Sequence, residues 1–294
     1  MSNRFTSHAT RLAPTFPAVA AGVRKLMALP ASLLGGSVLL LLIVVPALLG
    51  SWLEPHDPLA QDLAARLQAP SLAHPFGTDG LGRDVLSRLL FGARSTLGLV
   101  ALVALLMVPL GLIIGVVAGY CGGWIDRFLT GLTNLVMAFP PLVLALAFVG
   151  VLGPGLFNAA LALILTGWPA YARLARAETR ALRRSDYIDA ARMQGIVGVR
   201  LLWGHVLPAC VPTMQVRLAL DLASVILAAA AFGFLGLGVR PPTPEWGMMI
   251  AEGSKVIFDQ WWVAAFPGLA ILLASLGFNL AAEGLRDHGD PRHA

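Results

Sequence analysis

Charge is what this chain has least of. Aspartate, glutamate, lysine and arginine make up 13% of its 294 residues, against roughly 25% in a soluble globular domain. That supply cannot cover an ordinary solvated surface, which excludes a free soluble enzyme. Cysteine is almost missing as well. Cys121 and Cys210 give no disulfide framework and no metal-ligand spacing. A P-loop is also lacking, because Gly77, Gly80 and Gly82 cluster without the lysine and serine or threonine that must follow. No cofactor and no metal site are therefore expected in this chain. Internal repeats of solenoid length are absent too.

The chain is instead 57% hydrophobic, in runs long enough to cross about 30 Å of hydrocarbon. Leu33 to Leu53 is the first run, and the tail before it carries Arg4, Arg11, Arg24 and Lys25 with no acid. Positive charge stays inside, so residues 1–32 are read as a cytoplasmic tail. A cleaved signal peptide would have a shorter apolar core, of about 7–15 residues. Residues 54–95 are polar and proline-punctuated and are expected to lie outside. They end in an amphipathic helix with Leu86, Leu89 and Leu90 on one face and Arg83 and Arg88 on the other.

Residues 96–284 form the expected membrane core. Thr96 to Gly119 is a second span with Pro109 as a kink, and its Gly111, Gly115 and Gly119 have the small-xxx-small spacing that lets helix backbones approach. Tyr120 to Arg127 is a turn. Phe128 to Leu152 is a third span broken by Pro140 and Pro141, where either path lining or helix packing fits. Leu156 to Tyr171, Val211 to Phe234 and Trp262 to Ala282 complete six spans, and residues 285–294 end inside. Trp246, Trp261 and Trp262 suit the outer interfacial belt.

Between the fourth and fifth spans, residues 172–208 hold Arg173, Arg176, Arg180, Arg183, Arg184, Arg192 and Arg200. Each arginine costs about 2.5–3.5 kcal/mol at the centre of a span, so this loop cannot cross. Arg173 to Arg184 reads as a basic helical extension along the headgroups. Asp186 to Pro208 reads as two short helices with a hinge. Gly195 caps the first, Gly198 allows the turn, and the second runs from Val199 until Pro208 stops it. Lacking a nucleophile beside a base, the segment is a docking surface in kind. The fifth span carries Arg217 and Asp221, four residues apart and so on one helix face. A structural ion pair is favoured over a functional site there.

Asp189-Ala190-Ala191, then Gly195, then Val206-Leu207-Pro208 match the EAA loop of ABC-importer permeases, with aspartate in place of the family's glutamate. GTDGLGRD from Gly77, with SR and GARSTL behind it, and FLGLGVRPPTPEWG from Phe234 are similar to two further segments of the same group. The sequence thus resembles the second-type, C-like inner-membrane permease of dipeptide, oligopeptide and nickel importers over residues 74–290. In that group a glutamate is frequent where this chain has Ala229.

The resemblance implies an all-α polytopic protein with six transmembrane helices in the type I importer, MetI-like permease fold, both termini being cytoplasmic. It implies half of a pore completed by a paralogous permease. One or two ATPases, which carry ATP and magnesium, would dock on Asp189, Ala190, Ala191, Gly195, Val206, Leu207 and Pro208, and a binding protein would deliver substrate. Peptides are the expected cargo, with nickel or glutathione as alternatives, in a bacterial inner membrane and with no nucleic-acid partner. An intramembrane enzyme would need more than Asp221 and Arg217. A proton-coupled secondary transporter would use Asp221 as its relay.

Overall fold

A computed structural model describes residues 30–289. The tail expectations for residues 1–29 and 290–294 lie outside the described residues. Helix follows helix: α1 (Ala31–Leu53), α2 (Val85–Cys121), α3 (Gly123–Met137), α4 (Pro141–Leu152), α5 (Leu156–Leu182), α6 (Asp186–Met193), α7 (Gly198–Leu201), α8 (Leu207–Phe234), α9 (Trp246–Ser254) and α10 (Trp262–Gly289). Among the described residues no strand forms, and one isolated β-bridge joins Thr78 to Asp84.

Four helices are long and apolar enough to cross a membrane, and α3 with α4 make five if the bent pair is one span. The expected fourth span is the first part of α5. This helix is long enough at 27 residues, but its arginine-bearing second half keeps it out of that apolar set.

The helices run between two ends. At one, the segment between α1 and α2 folds with α9 into a cap. At the other, α6 and α7 form the loop end. Helix α2 joins them in one piece of 37 residues, about 55 Å at 1.5 Å per residue. The expected amphipathic helix and second span are therefore a single helix. Asp84 starts it, accepting from the Ser87 amide at 2.8 Å and the Ser87 hydroxyl at 2.7 Å.

The centre of the molecule is the contact of α2 with α5. A Cβ added at Gly111 would lie 2.6 Å from the Trp168 carbonyl oxygen, one at Gly115 2.2 Å from that of Ala172, and one at Gly119 2.8 Å from that of Arg176. Backbone touches backbone along three turns, as the glycine spacing predicts. A second close crossing, of α1 with α10, was not read from sequence: a Cβ at Gly36 would meet the Ala281 amide at 2.4 Å.

Several expectations are corrected. The helix face of Arg83 and Arg88 is not exposed. Both arginines are buried, Arg83 pairing with Asp79 at 2.6 Å and with Glu252 of α9 at 2.9 Å, and Arg88 with the same two carboxylates at 3.3 Å. Charges can turn inward here because acids 4 and 169 residues from Arg83 meet it. The tryptophan belt fails for two of its three members. Trp246 and Trp262 are buried, their indole N–H groups donating to the carbonyls of Leu89 at 3.0 Å and Thr78 at 3.3 Å. Only Trp261 stays exposed.

The basic stretch after Tyr171 is helical as expected, as the continuation of α5, but its arginines turn to protein groups. The helix continues to Leu182, and these arginines clamp the α2–α3 turn. Arg176 and Arg180 both pair with Asp126, the latter at 2.7 Å, while Arg183 donates to the Tyr120 carbonyl at 2.9 Å. That turn is short, since α3 restarts at Gly123 straight after Gly122, whose φ is +69°. The Pro140–Pro141 interruption is real, with α3 and α4 meeting at 89°. Pro141 opens α4, where its missing N–H costs nothing.

Within the cap, Glu245 caps α9 and is buried. It accepts from the amides of Gly247 at 2.9 Å and Met248 at 3.0 Å and from the Thr96 hydroxyl at 3.2 Å. Burial nevertheless holds its carboxyl above the ordinary carboxylate range. A raised folded-state value means that the protonated form stabilises the cap. That contribution is complete below the carboxyl's unfolded-state pKa and is lost as pH rises through the folded-state one. We expect the melting temperature of the purified complex to fall with rising pH across that window, and Glu245→Gln to flatten the slope. An unchanged slope in the variant would assign the dependence to another group.

Candidate functional site

Helix α6 is only 8 residues long, and local chemistry fixes both of its ends. Asp186 and Asp189 lie in its first turn, where negative charge favours the helix dipole. At its far end the Gly195 amide donates to the Arg192 carbonyl at 2.9 Å and the Ile196 amide to the Ala191 carbonyl at 3.1 Å. This paired pattern closes a helix on a left-handed residue, and Gly195 has φ +79°. The expected cap is thus present, and Gly198, at φ +62°, makes the following turn.

The second helix departs from expectation. Pro208 does not stop it. Residues Leu202–Val206 form a wide π turn, with the Leu207 amide donating to the Leu202 carbonyl, and α8 then runs on to Phe234. The wider turn accommodates a proline ring without a break. Loop and fifth span are consequently one continuous rod. Tyr187 locks α6 to this turn, its hydroxyl lying 2.8 Å from His205 Nδ1.

The expected docking residues divide by face. Asp189, Ala190, Gly195 and Pro208 are exposed, whereas Ala191 and Val206 are buried and Leu207 is half-buried. Ala191 and Val206 join Ile188 and Leu201 in the core and seat the loop on the helices. Asp189 is held on the surface by Arg192 at 2.9 Å. The exposed face also carries Tyr187, Met193, Val197, Val199 and Trp203. Large apolar side chains grouped on a surface mark an interaction site. These five were missed in sequence because an apolar residue near a span looks like part of a span.

About fifteen residues along α8 from the π turn lies a cavity of about 400 Å³. Arg217 and Asp221 line it, paired at 2.8 Å, as the four-residue spacing predicts. Met137 and Pro141, from the two sides of the α3–α4 break, line it too. The broken helix therefore borders this cavity. Ala229 is buried. One turn on, a Cβ at Gly233 would lie 1.9 Å from a Glu245 carboxylate oxygen, so an acid from the cap stands beside this end of α8.

Two sequence features were left unjoined by sequence reasoning. In the cap, GTDGLGRD reaches Glu252 of α9 through Arg83 and Trp262 of α10 through Thr78, while Trp246 of PPTPEWG bonds Leu89 of α2. His56, His74 and Asp84 also converge there, although no metal site was expected.

The family model described as "binding-protein-dependent transport system inner membrane component" matches residues 107–294, which include the loop and the cavity. The di/tripeptide transport system permease protein DppC of Pseudomonas aeruginosa is 43% identical over 267 residues, covering 88% of each chain. The nickel transport system permease protein NikC of Escherichia coli K12 is 40% identical over 254 residues, covering 86% of this chain and 92% of its own. Among solved structures, the inward-facing MetNI methionine ABC transporter matches with a TM-score of 0.53 at 16% identity. That match covers 67% of this chain and 96% of the other.

Proposed function

This chain belongs to the inner membrane components of binding-protein-dependent transport systems, a permease subunit without catalytic activity of its own, and on that premise we propose that it forms half of the translocation pore of an ATP-driven peptide importer. A paralogous permease supplies the other half, and one or two ATPases dock on α6 and α7. A binding protein delivers cargo to the cap, which faces outward, while the loop end and both termini face the cytoplasm. The observation carrying this reading is the joint between loop and pore. A glycine-capped helix with an exposed apolar face is locked by Tyr187 and His205 to a rod that leads unbroken to the cavity.

The mechanism follows from that rod. ATP binding closes the nucleotide-binding dimer, and the closing subunits carry α6 and α7 with them. Pushing on α7 moves α8, because the π turn joins them without a loop to absorb the motion. Arg217 and Asp221 lie about 15–21 Å along the rod from Leu207 at 1.5 Å per residue, so the displacement reaches the cavity. The two openings of the pore are populations that nucleotide biases through its differential affinity. Faces of α1, α2 and α4 rich in exposed apolar residues, among them Leu48, Leu105 and Val151, suit lipid and the second permease.

Peptides are favoured because the di/tripeptide permease DppC of Pseudomonas aeruginosa is 43% identical to this chain against 40% for NikC. In liposomes holding the whole complex, labelled dipeptide uptake should require ATP, the ATPases and the binding protein. Ni²⁺ accumulation without peptide accumulation would transfer the assignment to nickel. Asp221→Asn should keep most of the uptake, since the pair with Arg217 is structural. Loss of uptake together with loss of its pH dependence would instead make Asp221 a proton relay.

A further inference from the structure

We propose that His56, His74 and Asp84 bind a divalent first-row transition-metal ion, zinc or nickel in type, at the end of the molecule opposite the coupling loop. The three come from separate segments. His56 lies just past α1, His74 in the cap, and Asp84 caps α2. His74 Nδ1 is 3.0 Å and His56 Nδ1 3.9 Å from Asp84 Oδ1, and all three ligand atoms lie within 4.8 Å of one another. An ion held tetrahedrally at about 2.0–2.2 Å sets its ligand atoms about 3.3–3.6 Å apart, a separation those two distances bracket.

The donors are already oriented. Asp84 spends Oδ2 on the Ser87 amide and hydroxyl, which leaves Oδ1 for the ion. The same hydroxyl accepts from the His56 amide at 3.1 Å, so one serine positions two ligands, as outer-shell groups do in metal sites. Charge points the same way. Asp84 is buried, and among the described residues only the two histidines pair with it, no lysine or arginine. A cation beside a buried carboxylate offsets the cost of its charge, and two imidazoles with one carboxylate suit zinc or nickel rather than magnesium or calcium. Three protein ligands leave a further position for water or an exchangeable group, on the side of half-exposed His56. The bound ion would staple the end of α1 to the start of α2. The inference is independent of the cargo.

The test uses the full-length chain in its complex, purified with a histidine-free tag and titrated calorimetrically with ZnCl₂ or NiCl₂ alone. Wild type should take up one ion per chain above background. His56→Ala, whose ring is half-exposed, should weaken that site by about 100-fold and Ser87→Ala by about tenfold. Zinc should raise the melting temperature of wild type but not of His56→Ala. The metal-free melting temperature and monodispersity of His56→Ala should equal wild type, which separates a lost ligand from a lost fold. A monodisperse wild-type complex that binds no more zinc or nickel than His56→Ala overturns the site and leaves His74 and Asp84 as a plain hydrogen-bonded pair. Equal binding of magnesium or calcium overturns the metal class.

Discussion

Gly115→Ala will destabilise the molecule by about 3 kcal/mol, and Gly115→Leu will stop it from folding, because overpacking has no outlet here. The added Cβ would lie 2.2 Å from the Ala172 carbonyl oxygen and 2.7 Å from the Ala175 Cβ. A flexible side chain could swing aside, but a helix backbone cannot. Helices α2 and α5 must separate along their length, and the contacts at Gly111 and Gly119 go with them. Gly98 is the internal control: it sits on the same helix with nothing within 4 Å of its Cβ position. Gly98→Ala should match wild type in detergent-extracted yield and melting temperature, while Gly115→Ala should melt well below it. Equal melting temperatures for the two variants would mean that the α2–α5 contact is far looser than drawn.

Gly195→Asp will abolish ATPase docking and with it uptake, a loss of association well beyond the roughly 1.4 kcal/mol of a tenfold change, yet the chain will still insert and fold. Space is open around this position, since a Cβ would meet nothing within 4 Å. The cost to the chain itself is the left-handed backbone at φ +79°, about 1–2 kcal/mol for an L-residue and least for aspartate and asparagine. The cost to the partner is a new charge among Met193, Val197 and Val199 on the exposed face. Gly195→Ala imposes the strain without the charge, so it should dock better than the aspartate variant. Co-purification of the ATPases in normal amount with Gly195→Asp would falsify the coupling role of this loop.

Local physics made part of this legible. The run Leu33 to Leu53 became α1 within two residues, because an apolar stretch of that length has one stable form in hydrocarbon. The Gly195 cap and the Arg217–Asp221 pair depend on spacing within one helix or its end, which a sequence displays directly. The fate of Pro208 was not legible. Whether a proline ends a helix or rides through on a π turn depends on what the neighbouring turns pack against, here Leu201 and Val206 in the core. Arg83 and Arg88 were misplaced for a related reason. Read as one helix they form a polar face that asks for solvent, but Arg83 precedes α2, and the acids that draw both inward are Asp79 and, from α9, Glu252.

Sequence alone therefore determined what each segment is: apolar rods that must be helical, a basic loop that cannot cross, and glycines spaced for close approach. Only the tertiary structure decided which groups meet. It put the Asp79–Arg83–Arg88–Glu252 cluster and the tryptophans inside the cap, set the broken helix beside Arg217 and Asp221, and brought His56, His74 and Asp84 together. The reason is the reach of the forces. Helix formation and hydrophobic burial are settled within a few residues of chain. Charge compensation and hydrogen bonding to buried groups are settled by whatever lies within about 3 Å, however distant in sequence.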